Sequence, residues 1–153
     1  MPQPGQLLRS PPRVKVLEAL GAIADGRVSR EAPGRYTVVS SEGDRRYTVR
    51  VDLERREAYS DDNGTVYRGY VGYPIIAALM LEGVLPYREE LAAHLRGIPW
   101  RKLNERYKRY FLVEQEVRRI AEERGADWAE VEALVREVLA RLSRLRLRYA
   151  GSG

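Results

Sequence analysis

The chain has 153 residues, of which 32% are charged, and a formal net charge of +5. It contains no cysteine and one histidine, His94, which excludes disulfides, thiolate zinc sites, a cysteine nucleophile and multi-histidine metal sites. The length suits one domain, and no apolar run approaches the roughly 20 residues that cross a bilayer. Because the N-terminus also lacks the charged and then apolar pattern of a signal peptide, we expect a cytoplasmic protein with no membrane partner, metal or cofactor.

Arginine supplies almost all of the positive charge, with 24 arginines against three lysines. Many ion-pair formers are typical of proteins from thermophiles. Residues 1–86 carry 12 basic and 11 acidic groups, whereas residues 87–153 carry 15 and 11. The positive excess therefore lies in the C-terminal half, where it would permit binding to nucleic acid through phosphate contacts.

The first half of the chain predicts a small sheet between two helices. Prolines and a glycine among the first 12 residues indicate a flexible arm over residues 1–13. Helical spacing from Val14 to Asp25 predicts a short helix. The segments 26–31, 35–41, 45–51 and 56–60 predict a meander of strands. An antiparallel sheet of this size needs a covering layer, which the apolar helix predicted over 74–81 supplies.

The remainder of the chain is predicted to be helical, over 88–95, 99–124 and 127–149. Apolar and aromatic residues in the last two helices recur every three or four positions, which favours an antiparallel hairpin. Gly125 is typical of a helix stop, and Asp127 with Glu130 is typical of a capped start. The predicted fold class is therefore α+β: a small antiparallel meander sheet covered by a helix, followed by a C-terminal antiparallel helical hairpin.

Three segments, 47–52, 58–62 and 72–81, resemble in order and pattern the SWIM-type zinc finger. In that family a short strand carries Cys-x-Cys, and Cys-x-His opens an apolar helix. Ala58 and Ser60 stand at the first pair of positions, and Gly72 and Pro74 stand at the second. None of these four side chains can replace a thiolate or an imidazole. The resemblance implies a metal-free, degenerate SWIM-like module over 14–85, with a helical extension over 86–150.

The same resemblance implies partners. SWIM-type domains are associated with DNA binding and protein interaction, and members in archaea and eukaryotes pair with RecA-like recombinase paralogues. Tyrosines around the former zinc positions would replace the metal by packing. Those tyrosines are Tyr59, Tyr67, Tyr70 and Tyr73.

A dense group of cations interleaved with aromatic residues lies between Trp100 and Phe111. On one continuous helix these cations would lie largely opposite the apolar stripe, on a face that could contact phosphates. The alternative is an ordinary solvated helix surface, partly neutralised by Glu105. The candidate nucleic-acid-binding residues are Arg101, Lys102, Arg106, Lys108 and Arg109.

No catalytic constellation stands out in the sequence. The run from Asp61 to Gly64 is typical of a turn and lacks the spacing of a calcium loop, and His94 has no nucleophile placed with it. Arginines between 141 and 148 would complement the end of a helix dipole. We therefore expect a non-catalytic binding protein, for nucleic acid or as a DNA recombination or repair accessory module. The alternative is a protein-interaction or dimerisation subunit, because tryptophan and tyrosine are enriched at interfaces.

Overall fold

The computed structural model describes residues 1–151, and the centre of the fold is a sheet. Four strands form the predicted antiparallel meander, and a short fifth strand pairs in parallel with the fourth, so that the sheet order follows the chain. The strands are β1 (Val28–Ala32), β2 (Arg35–Val39), β3 (Arg46–Asp52), β4 (Glu57–Ser60) and β5 (Arg148–Tyr149).

Seven helices occur in the described chain, and α3 forms the covering layer of the sheet. It packs against β1, β3 and β4 on one side and against α1 on the other, and nearly all of its residues are buried, as its unbroken apolar run predicts. The predicted α+β fold class is confirmed. The helices are α1 (Val14–Ala24), α2 (Asn63–Arg68), α3 (Tyr73–Leu81), α4 (Glu89–Ala93), α5 (Trp100–Tyr107), α6 (Tyr110–Glu123) and α7 (Trp128–Leu145).

Strand register separates a helix-covered face of the sheet from an open face. Tyr36 pairs with Val49 across β2 and β3, and both are buried under the helices. Because side chains alternate along a strand, the partners Arg35 and Arg50 lie on the opposite face, where Arg35 is exposed. None of the helices in residues 1–151 is long and apolar enough to span a membrane.

The helix predicted over 99–124 is divided at Lys108. This residue adopts a left-handed conformation with φ of 57°, and its backbone N–H donates to the carbonyl oxygen of Asn104. A residue in that conformation cannot continue a right-handed helix, so α5 ends at Tyr107 and α6 begins at Tyr110. The predicted stripe is broken with it, since Trp100 is buried whereas Tyr110 is 44% exposed.

The turn between α6 and α7 is where the sequence places it. Asp127 caps α7 by accepting a 3.0 Å hydrogen bond from the backbone N–H of Ala129. The predicted end of α7 at Tyr149 is wrong, however. Arg146 is left-handed, with φ of 50°, and closes the helix after Leu145; Tyr149 then joins β5 beside Ala58.

Residues 1–13, predicted as a flexible arm, run alongside the C-terminal strand in the structure. The backbone N–H of Gly5 donates to the Tyr149 carbonyl at 2.8 Å, and that of Leu8 donates to the Leu147 carbonyl at 2.9 Å. The Leu8 side chain is only 6% exposed and belongs to the same core as the sheet and the C-terminal helices. The N-terminal segment therefore joins the two ends of the described chain.

Candidate nucleic-acid interface

Four of the five predicted phosphate contacts lie together on an exposed surface. Lys102 and Arg106 are one turn apart on α5, Lys108 forms its cap, and Arg109 precedes α6. None of the four forms an ion pair in the part of the chain that the structure describes. The guanidinium of Arg106 lies 5.5 Å from the centre of the Tyr107 ring. We call Lys102, Arg106, Lys108 and Arg109 the basic surface.

The rest of α6 offers a contrast, because its arginines are matched by acids. Arg118 pairs with Glu122 at 3.3 Å, and Arg119 pairs with Glu116 at 2.5 Å. Such i,i+3 and i,i+4 pairs neutralise a helix surface locally. The basic surface lacks this compensation, so its positive charge faces solvent.

Arg101 occupies a different position from the other four. Its guanidinium donates to both carboxylate oxygens of Asp44, in the turn between β2 and β3, over 2.6 and 2.7 Å. The hydrogen bonds from Arg101 hold the pKa of Asp44 well below its usual range. This cation therefore ties α5 to the sheet.

A cleft of about 370 Å³ opens beside Arg101, between α1, the β2–β3 turn, α2 and α5. Its size falls within the range of small-molecule sites in proteins. Its walls combine aromatic rings with cations and a few acids. The aromatic residues are Tyr47, Tyr70, Tyr73 and Trp100; the charged residues are Lys15, Arg27, Arg45, Arg101, Glu18, Asp62 and Glu105.

The floor of the cleft is built around Glu18, which is only 4% exposed. Its carboxylate accepts hydrogen bonds from Lys15 Nζ at 3.2 Å and from Asn104 Nδ2 at 3.3 Å. Burial alone would lower the pKa of Lys15, but the adjacent charge of Glu18 and its hydrogen bond hold that pKa above its ordinary value. The buried carboxylate therefore faces a charged ammonium and a donating amide, as buried charges require.

Trp100 and Asn104 bring α5 close to α1 behind this floor. A Cβ on Gly21 would lie 2.9 Å from Trp100 Nε1, so the approach of the two helices depends on glycine at this position. Trp100 Nε1 and Asn104 Oδ1 are buried without a hydrogen-bond partner among the described residues. Buried polar atoms normally have a hydrogen-bond partner, so these two atoms are exceptions in the described fold.

The positions that the SWIM resemblance assigns to zinc ligands adjoin this cleft. Ser60 Oγ accepts from the backbone N–H of Asp62 at 3.3 Å, and the N–H of Gly72 donates to Thr65 Oγ1 at 3.2 Å. The other two positions, Ala58 and Pro74, are buried. No cluster of three or more metal-ligating side chains occurs in residues 1–151.

Asp62 holds this junction together. The run from Asp61 to Gly64, predicted as a turn, starts α2, and Asp62 is its N-cap, accepting from Thr65 N at 3.2 Å and from Thr65 Oγ1 at 2.9 Å. An added Cβ on Gly72 would lie 2.2 Å from Asp62 Oδ2. A hydrogen-bonded junction thus occupies the region that the resemblance assigns to metal.

Sequence reasoning identified the basic surface but missed the cleft. The cleft residues come from α1, the β2–β3 hairpin, α2, the start of α3 and α5, which lie far apart in the chain. The one available signal was two charged residues, Lys15 and Glu18, among the apolar residues of the predicted α1 helix. Their partner Asn104 could not be identified without the tertiary arrangement.

Comparison with known proteins gives one match. A model of the family described as "Uncharacterised conserved protein UCP014422" matches residues 8–148. No curated protein and no solved structure matches the chain. The matched range includes every residue that lines the cleft and all four residues of the basic surface.

Proposed function

The chain belongs to the family of uncharacterised conserved protein UCP014422, and we propose that it is a non-catalytic, cytoplasmic nucleic-acid-binding protein. The observation that supports this most directly is the basic surface. Four neighbouring cations there have no ion-pair partner within residues 1–151, whereas Arg118 and Arg119 on α6 and Arg141 on α7 are paired.

Charge of this kind favours phosphate binding. Each lysine or arginine that neutralises a phosphate releases condensed counterions, and this release drives the association. A net charge of +5 adds a long-range attraction to the polyanion. Flexible lysine and arginine side chains contact the backbone of nucleic acid and carry little sequence information. We therefore expect binding that depends weakly on sequence and strongly on salt.

The SWIM resemblance supports the same proposal from the sequence. A metal-free SWIM-like module over 14–85 would present the C-terminal helices beside its former metal site. The RecA-like recombinase paralogue that the resemblance implies, and a role in recombination or repair, are part of the proposal on that ground alone.

Fluorescence anisotropy with labelled single- and double-stranded DNA and RNA across a salt series tests the proposal. The test variant carries Lys102→Ala, Arg106→Ala and Arg109→Ala. If these three residues contact phosphates, the slope of log affinity against log salt should decrease in magnitude by roughly 2 to 3.

A matched control removes three cations elsewhere. Arg35, Arg136 and Arg144 are exposed and form no ion pair in the described chain, and changing them to alanine lowers the net charge equally, from +5 to +2. The control should keep most of the parent affinity. Equal losses of affinity in both variants would show that binding depends on net charge and not on the basic surface. If the parent does not bind nucleic acid at low salt, the proposal is wrong.

A second candidate function is self-association or protein binding through the helices. It is favoured by two adjacent aromatic side chains at the start of α6, Tyr110 and Phe111, which are 44% and 57% exposed. Aromatic side chains are enriched at interface hot spots. Sedimentation equilibrium of the parent and of Phe111→Ser separates the two functions, because an apolar interface should tolerate salt that abolishes phosphate contacts.

A further inference from the structure

We infer that the cleft is a binding site for one unpaired nucleotide unit, with its base among the tyrosine rings and its phosphate beside Arg45. The inference rests on the proposed function for the source of that unit, a single strand of nucleic acid. A free nucleotide presents the same chemistry, and the experiment below distinguishes the two sources.

The aromatic walls of the cleft suit a planar ring. Tyr47 and Tyr73 meet edge to face, with ring centres 6.2 Å apart and an interplanar angle of 88°, and Tyr70 and Trp100 line the same space. Nucleobases stack on aromatic side chains largely irrespective of sequence.

The cleft is lined by four cations and by three acids, Glu18, Asp62 and Glu105. Glu18 is engaged by Lys15 and Asn104, and both oxygens of Asp62 accept hydrogen bonds from Thr65. Glu18 and Asp62 are therefore satisfied within the fold, whereas the third acid, Glu105, is exposed.

Among the cations, Arg27 pairs with Asp25 at 3.0 Å, and Arg101 pairs with Asp44 at 2.6 Å. Arg45, which is exposed at the cleft, forms no ion pair within residues 1–151. A guanidinium in this state can donate two parallel hydrogen bonds to a phosphate. Arg45 is the group that we assign to the phosphate.

The position of the cleft connects it to the basic surface. Both are built on α5, since Trp100, Arg101 and Asn104 line the cleft while Lys102 and Arg106 point to solvent from the same helix. The cleft and the basic surface therefore occupy different faces of one helix. A base within a duplex is stacked and paired, so only an unpaired or extruded nucleotide could enter.

Intrinsic fluorescence gives a local readout, because Trp100 lines the cleft and the second tryptophan, Trp128, lies on α7. In a Trp128→Phe background, AMP and UMP should change the Trp100 emission in a saturable manner, and inorganic phosphate should not. Arg45→Ala and Tyr47→Leu should each weaken binding of these nucleotides and of a single-stranded oligonucleotide at least tenfold. Arg45 is exposed, so its variant should fold as the parent does.

Matched controls are Arg35→Ala and Tyr59→Leu, which change an arginine and a tyrosine on the open face of the sheet. Both should bind as the parent does, and a thermal melt checks that every variant is folded. Saturable nucleotide binding that Arg45→Ala and Tyr47→Leu lose supports the inference.

The inference and the proposed function can fail separately. If the oligonucleotide binds, but the cleft variants bind it as tightly as the parent does and nucleotides leave Trp100 unchanged, the cleft inference is overturned while nucleic-acid binding stands. If nucleotides bind in the cleft and no polymer binds, the proposed function fails and the cleft takes free nucleotides.

Discussion

The guanidinium of Arg101 and the carboxylate of Asp44 form a two-pronged ion pair, with Nη2 to Oδ1 at 2.6 Å and Nη1 to Oδ2 at 2.7 Å. The two residues are 57 positions apart in the chain and join α5 to the turn between β2 and β3 at the mouth of the cleft. An ion pair with two parallel hydrogen bonds fixes the relative orientation of the two side chains in addition to the attraction between their charges.

Replacing Arg101 should therefore release Asp44. Because hydrogen bonds from Arg101 depress the pKa of Asp44 in the fold, we expect that pKa to rise towards its ordinary value of 3.8 in Arg101→Ala. The ion pair stabilises the fold at pH values above the ordinary pKa of Asp44. This stabilisation is lost as the pH falls through the depressed pKa of Asp44 in the folded state. Carboxyl NMR titration of Asp44 measures the change, with Arg88→Ala as a control at a distant ion pair. An unchanged titration in Arg101→Ala would refute the link.

Leu8 tests whether the N-terminal segment is part of the folded core. Since its side chain is 6% exposed and packs with the sheet and the C-terminal helices, Leu8→Ala should lower the free energy of unfolding by about 2 to 5 kcal/mol. Leu53, 38% exposed in the turn after β3, is the control, and Leu53→Ala should change stability by no more than about 0.5 kcal/mol. Urea denaturation of both variants makes the comparison, and similar small losses would favour a flexible arm.

Gly72→Ala should destabilise the junction beside the cleft. The added Cβ would lie 2.2 Å from Asp62 Oδ2, and the Asp62 side chain is held in place by Thr65. Overpacking of this kind costs about 1 to 3 kcal/mol. Thr65→Val should cost a similar amount, about 1 to 3 kcal/mol, because it leaves buried polar groups without a partner. Thermal melts measure both losses; stability equal to the parent's in Gly72→Ala would show that Asp62 can move at little cost.

Tyr36→Phe should alter the alkaline limit of stability. Burial, together with the hydrogen bond to Glu82, raises the pKa of Tyr36 from 10.0 to about 12. Because the pKa of Tyr36 is higher in the folded state than in the unfolded state, this group stabilises the fold at pH values below its unfolded pKa of 10.0. That stabilisation is lost as the pH rises from 10 through about 12. Urea denaturation at several pH values should therefore show a steeper decline for the parent than for Tyr36→Phe over this window. Parallel declines would assign the alkaline loss to other tyrosines.

Much of the fold could be predicted because local patterns determine it. The spacing from Val14 to Asp25 gives α1, alternation with turn residues gives the meander, and an unbroken apolar run gives α3. Gly125 and Asp127 place the turn between α6 and α7. In each case the preference is carried by neighbouring residues, and burial in the tertiary structure adds to it.

The sequence by itself determined these elements, the absence of thiolate and multi-histidine metal sites, and the cluster of cations that became the basic surface. Only the tertiary structure decided the break at Lys108, since a left-handed residue other than glycine is locally unfavourable and nothing in the flanking pattern marks it. It also decided the cleft. The contacts that define it, Glu18 with Asn104 and Asp44 with Arg101, join residues 86 and 57 positions apart, and their energies depend on a burial and geometry that exist only once the chain has folded.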